Sequence, residues 1–105
     1  MISIVKSWGF EYLLEVNPEY TLKKIVVRGG EQLPRHYHQF KRETFYILEG
    51  SGSMLVDTRV YPMCAGSVIT IDPGERHELI PSGVNGIVFL EASTTYLTDS
   101  IREAR

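Results

Sequence analysis

The chain has 105 residues, 43% of them hydrophobic and 23% charged, with a net charge of −2 and a sequence pI near 5.9. That length predicts one domain over residues 1–105, large enough to bury a core of its own. The weak negative charge removes any electrostatic basis for holding nucleic acid or an anionic membrane surface.

In chain order, Ile2 to Val5 reads as a short edge strand that Ser7-Trp8-Gly9 breaks. Phe10 to Val16 has the aromatic and aliphatic content of a strand, and Asn17-Pro18-Glu19 is a turn signal. Tyr20 to Arg28 is β-rich and stops at Gly29-Gly30. Leu33 to His38 and Glu43 to Leu48 are strands joined by the polar loop Gln39 to Arg42. Gly50-Ser51-Gly52 reads as a tight turn before a strand over Ser53 to Asp57, and Val60 to Met63 completes a hairpin. Ser67 to Ile71 is closed by Asp72-Pro73-Gly74, a turn pre-set by proline and glycine, and His77 to Ile80 follows. Ile87 to Ala92 is a strong buried strand. The tail Leu97 to Arg105 reads as a short helix, with Ser100 and Glu103 at capping-box spacing. Many short strands separated by turn signals predict an all-β sandwich or barrel.

No apolar run exceeds six residues, far short of the roughly 20 that a membrane-spanning helix needs. The N-terminus lacks the apolar stretch of a secretory signal, and a lone cysteine excludes an internal disulfide. A reducing cytoplasm is the expected location, with Cys64 and Trp8 as packing residues.

All three histidines belong to one candidate site. His36 and His38 are two residues apart on a strand, so they point to one face while Arg35 and Tyr37 point to the other. Glu43 opens the returning strand and can lie across from them, and His77 arrives from a separate strand after a proline-glycine turn. Imidazole suits Fe, Ni, Cu and Zn, and a carboxylate extends the choice to Mn, so the expected cofactor is a divalent ion such as Zn, Mn, Fe or Ni. Four protein donors leave open positions on a six-coordinate metal, as chemistry or a chelating ligand requires. Arg28, Arg35, Lys41 and Arg42 surround the approach and read mainly as a solvated rim. Glu49, Glu75, Glu78 and Glu91 read mostly as surface, with Glu91 and Tyr96 no more than acid/base candidates. If Glu43 points inward, so do Phe45 and Ile47, and Tyr46 and Leu48 point outward. That outward apolar strip predicts a cover: a second subunit, so a homodimer, or the N-terminal strand.

These stretches resemble the paired motifs of the cupin superfamily. The first, G-x5-H-x-H-x(3,4)-E-x6-G, is matched at Gly30, His36, His38, Glu43 and Gly50. The second, G-x5-P-x-G-x2-H-x3-N, is matched at Gly66, Gly74 and His77, with Asp72 in the proline position and Pro81 in that of the asparagine. The resemblance implies a double-stranded β-helix, or jelly roll, with His36, His38, Glu43 and His77 as metal ligands. Ser7 to Tyr12, Leu22 to Val27 and Tyr96 to Arg102 are similar to the cupin domain of bacterial mannose-6-phosphate isomerases of the guanylyltransferase-fused type, which carry glutamine where this chain has His36. That similarity implies a sugar or sugar-phosphate isomerase or epimerase using the metal as a Lewis acid, on a small-molecule substrate. The same ligand set also serves non-haem iron dioxygenases and non-catalytic binding modules, so both stay as alternatives.

Overall fold

The computed structural model describes residues 2–96 and 98–103. Ten strands make up all its regular structure: β1 (Ile2–Lys6), β2 (Gly9–Val16), β3 (Thr21–Val27), β4 (Leu33–His38), β5 (Glu43–Val56), β6 (Arg59–Cys64), β7 (Val68–Ile71), β8 (His77–Pro81), β9 (Ile87–Ser93) and β10 (Ser100–Arg102). Every pairing between them is antiparallel.

The long strand β5 belongs to two sheets. Its first half lies between β9 and β7, and the sheet continues through β3 and β2 to β1. Its second half lies between β8 and β6, and that sheet continues through β4 to β10. The crossing point is a bulge: the register with β9 slips between Ile47 and Glu49, which re-aims the strand. Gly50 follows with φ 85°, and a Cβ on it would lie 2.3 Å from the Gly86 carbonyl oxygen. No side chain fits there, so the Gly50-Ser51-Gly52 segment is a corner inside a continuous strand rather than the expected tight turn.

Strand parity decides what lies between the sheets. Ile25 and Val27 on β3, Phe45 and Ile47 on β5, and Ile87 and Phe89 on β9 alternate inward to meet Met54, Val56 and Leu79 from the other sheet. Trp8 joins this core at 6% exposure, as its packing role predicts. Cys64 does not: it is exposed at the end of β6, on the outward side of the hairpin.

The expected C-terminal helix is absent; Ser100–Arg102 instead forms a strand on the free edge of β4, with Ser100, Ile101 and Arg102 opposite His38, Tyr37 and His36. Leu97, Ala104 and Arg105, which the helical reading included, lie outside the described residues. So short a helix is marginal by itself, whereas the edge of β4 supplies backbone partners at once. Side chains reinforce the edge pairing, because the Glu103 carboxylate accepts from Arg35 at 3.3 Å and from Arg76 at 3.0 Å, and Arg76 stacks on the Tyr37 ring.

Candidate metal centre

Residues 33–38 and 77–81 carry the site because β4 and β8 are neighbours, with His36 directly opposite His77. His38 follows on the same face of β4, and Glu43 starts β5 after the loop at residues 39–42. One ligand atom from each of His36, His38, Glu43 and His77 falls within 4.8 Å of the others. The four side chains singled out in the sequence therefore meet at one point, at the mouth end of the space between the sheets.

Each imidazole is held by its Nδ1. His36 Nδ1 is 2.7 Å from the Pro34 carbonyl oxygen and His77 Nδ1 is 2.9 Å from that of Glu75. His38 Nδ1 is 3.0 Å from Asp99 Oδ1. All three partners are acceptors, so Nδ1 carries the proton and Nε2 keeps its lone pair. The three Nε2 lone pairs then face the cluster together with the Glu43 carboxylate. His77 Nε2 stands 2.8 Å and His38 Nε2 3.5 Å from Glu43 Oε1. Both Glu43 oxygens and His77 Nε2 are buried without a hydrogen-bond partner. Lone pairs pressed together in a buried space need a shared proton or a cation between them. A divalent metal fits this donor set, and the cluster could bind one.

Electrostatics favour the ligand forms. Burial, with His77 beside it, lowers His36 to about 4, so it is neutral at neutral pH. Burial pushes Glu43 up, but with no cation present the proton shared with His38 and His77 outweighs it and holds the carboxyl well below the usual range. His36 gains its proton between 6.5 and about 4 more readily in the unfolded chain than in the fold. Its stabilising contribution is therefore complete above pH 6.5 and is lost as the pH falls toward about 4. The metal-free protein is expected to lose on the order of 3 kcal/mol over that window, checked by denaturant unfolding at about pH 7 and about pH 4.

Asp99 is a site residue that sequence reading missed. Its Oδ1 holds His38, and its Oδ2 accepts from the backbone N–H of Phe40 at 2.9 Å and Lys41 at 3.0 Å. Those amides, after the pull of burial in the other direction, set its carboxyl below the ordinary range. No local pattern announces this role, since Asp99 is 61 residues from His38 and reaches it only through β10. Replacing Asp99 with alanine is expected to weaken divalent-metal affinity about 10- to 100-fold, as read by competition with a chelating dye.

The cluster opens into a cavity of about 290 Å³ lined by His36, His38, Lys23, Lys41, Glu11 and Glu91, with apolar walls that include Ile25 and Leu33. Two expectations are corrected here. Lys41 is no rim residue: at 4% exposure it is folded inward, its Nζ 4.0 Å from Glu91 Oε2. Glu91 and Glu78 are buried rather than surface, because β9 carries Glu91 on the face of Phe89 and β8 packs on both sides. The parity of Phe89 and Ile87 is the signal that would have placed Glu91 inside. The other basic candidates stay out of the cavity. Arg28 donates to the Ser7 carbonyl, Arg42 pairs with Asp72 at 3.0 Å, and Arg35 turns to Glu78 and Glu103 on the far face of β4. Tyr96 is exposed and packs against Phe40.

This barrel, with its histidine-lined mouth, is that of a small cupin. The Cupin domain family matches residues 24–91, and the chain belongs to that family. Among curated proteins it is similar to mannose-1-phosphate guanylyltransferase 2 of Escherichia coli O157:H7, at 24% identity over 91 residues, 87% of this chain and 19% of that enzyme. The chain spans less than half the length of the curated relatives it matches. Among solved structures, a double-stranded β-helix protein of Klebsiella pneumoniae superposes with TM-score 0.83 at 14% identity, over 94% of this chain and 87% of that one. Streptomyces Pac13, a nucleoside dehydratase seen with uridine, gives 0.82 at 18% identity, over 98% and 84%. A protein described as a sugar phosphate isomerase from Acidithiobacillus ferrooxidans gives 0.67 at 20% identity, over 74% and 51%. These structural likenesses establish the double-stranded β-helix fold.

Proposed function

We propose that the protein is a metal-dependent cupin acting on a small sugar or sugar phosphate, as an isomerase or epimerase. His36, His38, Glu43 and His77 would hold the ion, one of Zn, Mn, Fe or Ni. When bound, it supplies Lewis acidity to a carbonyl and its neighbouring hydroxyl. The observation that carries the reading is the asymmetry of the cavity. The imidazoles come from β4 and β8 on one side, while Lys23 and Lys41, with Glu11 and Glu91 beside them, line the other side. A ligand with adjacent oxygens at one end and an anionic group at the other suits both walls. The similarity to a mannose-1-phosphate enzyme and to a described sugar phosphate isomerase supports the same substrate class.

The test is incubation of metal-loaded protein with mannose 6-phosphate and other aldoses, following aldose–ketose conversion. Conversion supports the reading. Oxygen uptake by the iron form in its place moves the protein to the dioxygenases, and tight binding without turnover makes it a binding module.

The protein works as a homodimer in the cytoplasm under this reading. Tyr46 is 43% and Val68 61% exposed as direct neighbours across β5 and β7, with Leu48 beside them. The N-terminal strand does not cover them, since β1 extends the far edge of the same sheet. Light scattering is expected to give twice the 12.0 kDa chain mass, and Tyr46→Glu to return it to the monomer value.

A further inference from the structure

We propose that Glu91 is the group that moves a proton between neighbouring carbons of the ligand, working from the sheet that faces the histidines. The inference rests on the sugar-phosphate reading above and adds to it the residue that performs the transfer.

Three observations converge on this carboxyl. It lines the same cavity as His36 and His38 but comes from β9, so a ligand seated against the histidines lies beside it. It is 6% exposed, and its Oε2 has no hydrogen-bond partner. A carboxyl kept for structure closes on its partner; this one stops 4.0 Å short of Lys41, outside hydrogen-bond distance. A buried carboxyl that lines a ligand cavity and keeps one oxygen unpaired is suited to exchange a proton with what enters.

The charges around Glu91 come from every packed element. On β3, Lys23 is its direct cross-strand neighbour, and Lys23 is itself 3.4 Å from Glu11 on β2. Lys41 approaches from the loop between β4 and β5, and Glu43 repels it from the start of β5. Phe45 is the neighbour on the other side and adds only apolar surface. Lys6 on β1 lies 4.0 Å from Glu11 and completes the ring. Burial, then Glu43, push the carboxyl up to about 8, against the pull of Lys23 and Lys41. A group balanced near neutrality can serve both as base and as acid.

The transfer balances without any further reactant. As carboxylate, Glu91 takes the proton from the carbon next to the sugar carbonyl. The C–H electron pair forms the carbon–carbon double bond, and the carbonyl π pair moves onto its own oxygen. The neighbouring hydroxyl passes its proton to that oxygen. The Glu91 carboxylic acid then returns its proton to the former carbonyl carbon, giving the ketose and the original carboxylate. Lys41 and Lys23 are positioning residues, steadying the anionic form between turnovers.

The experiment compares wild type, Glu91→Gln and Glu91→Asp, each with its metal content measured. One readout is deuterium uptake from D2O at the carbons flanking the carbonyl of mannose 6-phosphate, followed by NMR. The other is the infrared C=O band of a buried carboxylic acid, followed against pH. Glu91→Gln is expected to keep its metal and lose on the order of a hundredfold or more in exchange rate, with partial recovery in Glu91→Asp. The band is expected in metal-free wild type, absent in Glu91→Gln, and titrating near pH 8. Metal loading offsets the Glu43 charge and is expected to lower that midpoint. Metal-bearing Glu91→Gln that exchanges as fast as wild type, or a wild type lacking the band, overturns the proposal and leaves the isomerase reading standing. Metal-loaded wild type that exchanges no deuterium overturns both.

Discussion

Stripping the metal from the loaded protein is expected to lower its melting temperature by about 16–32 °C. Three imidazoles and a carboxylate converge with both Glu43 oxygens and His77 Nε2 left without a hydrogen-bond partner, so the metal-free fold carries an uncompensated buried cluster. A ligand present at 1,000 times its dissociation constant stabilises the native state by about 4 kcal/mol. In a domain of about 100 residues each kcal/mol moves the transition by about 4–8 °C. Differential scanning calorimetry with and without a chelator measures the difference. The companion variant is His77→Ala. His77 is fully buried at the start of β8, and its Nε2 is 2.8 Å from Glu43 Oε1. Its loss removes a donor and leaves Glu43 facing a void. The variant is expected to bind metal more than about 100-fold more weakly, beyond the effect of losing an outer partner such as Asp99. It is also expected to lose about two-thirds or more of the melting shift on chelation. A His77→Ala protein that keeps the full metal-dependent shift would sink the four-ligand assignment.

Phe45→Ala is expected to cost about 3–5 kcal/mol. Phe45 is 1% exposed, its ring 4.9 Å from that of Phe89 and 6.2 Å from that of His77. It lies two residues after Glu43 on β5 and pairs across to Glu91 on β9. One ring therefore joins the hydrophobic core to both chemical walls of the cavity. Truncation opens a void that the two sheets cannot close without shifting β5, whose path is fixed by the bulge at residues 47–49 and by Gly50. Unfolding in urea is expected to give a lower midpoint with an unchanged slope, and metal affinity to fall as His77 loses its neighbour. Phe45→Leu keeps most of the volume and is expected to recover most of both.

Much of this was legible because strand parity and turn chemistry are local. The H-x-H spacing put His36 and His38 on one face, and the Glu43-to-Ile47 alternation ordered the inward and outward residues of β5 correctly. The glycines at 30 and 50 and the Asp72-Pro73-Gly74 turn framed the ligand-bearing segments. What failed was settled by partners far away in the chain. The tail reads as helical because Ser100 and Glu103 stand at capping-box spacing, but the open edge of β4 claimed Ser100–Arg102 as a strand, and that docking brought Asp99 to His38. Lys41 stands among polar loop residues, and nothing local says that it folds under the sheet toward Glu91. Glu78 reads as surface because a charged residue on a short strand usually is; here Arg35 and Gln32 from neighbouring segments receive it.

The sequence by itself determined most of the strands, the family and the four converging donors, because each depends on residue type and spacing along a few residues of backbone. The tertiary structure alone decided which groups face those donors. Glu91, Lys23 and Lys41 come from a different sheet or a folded-in loop, and Asp99 from an added edge strand, so their proximity depends on which strands pair. Pairing is a long-range choice made by burial and backbone hydrogen bonding over the whole barrel, and no short stretch of residues contains it.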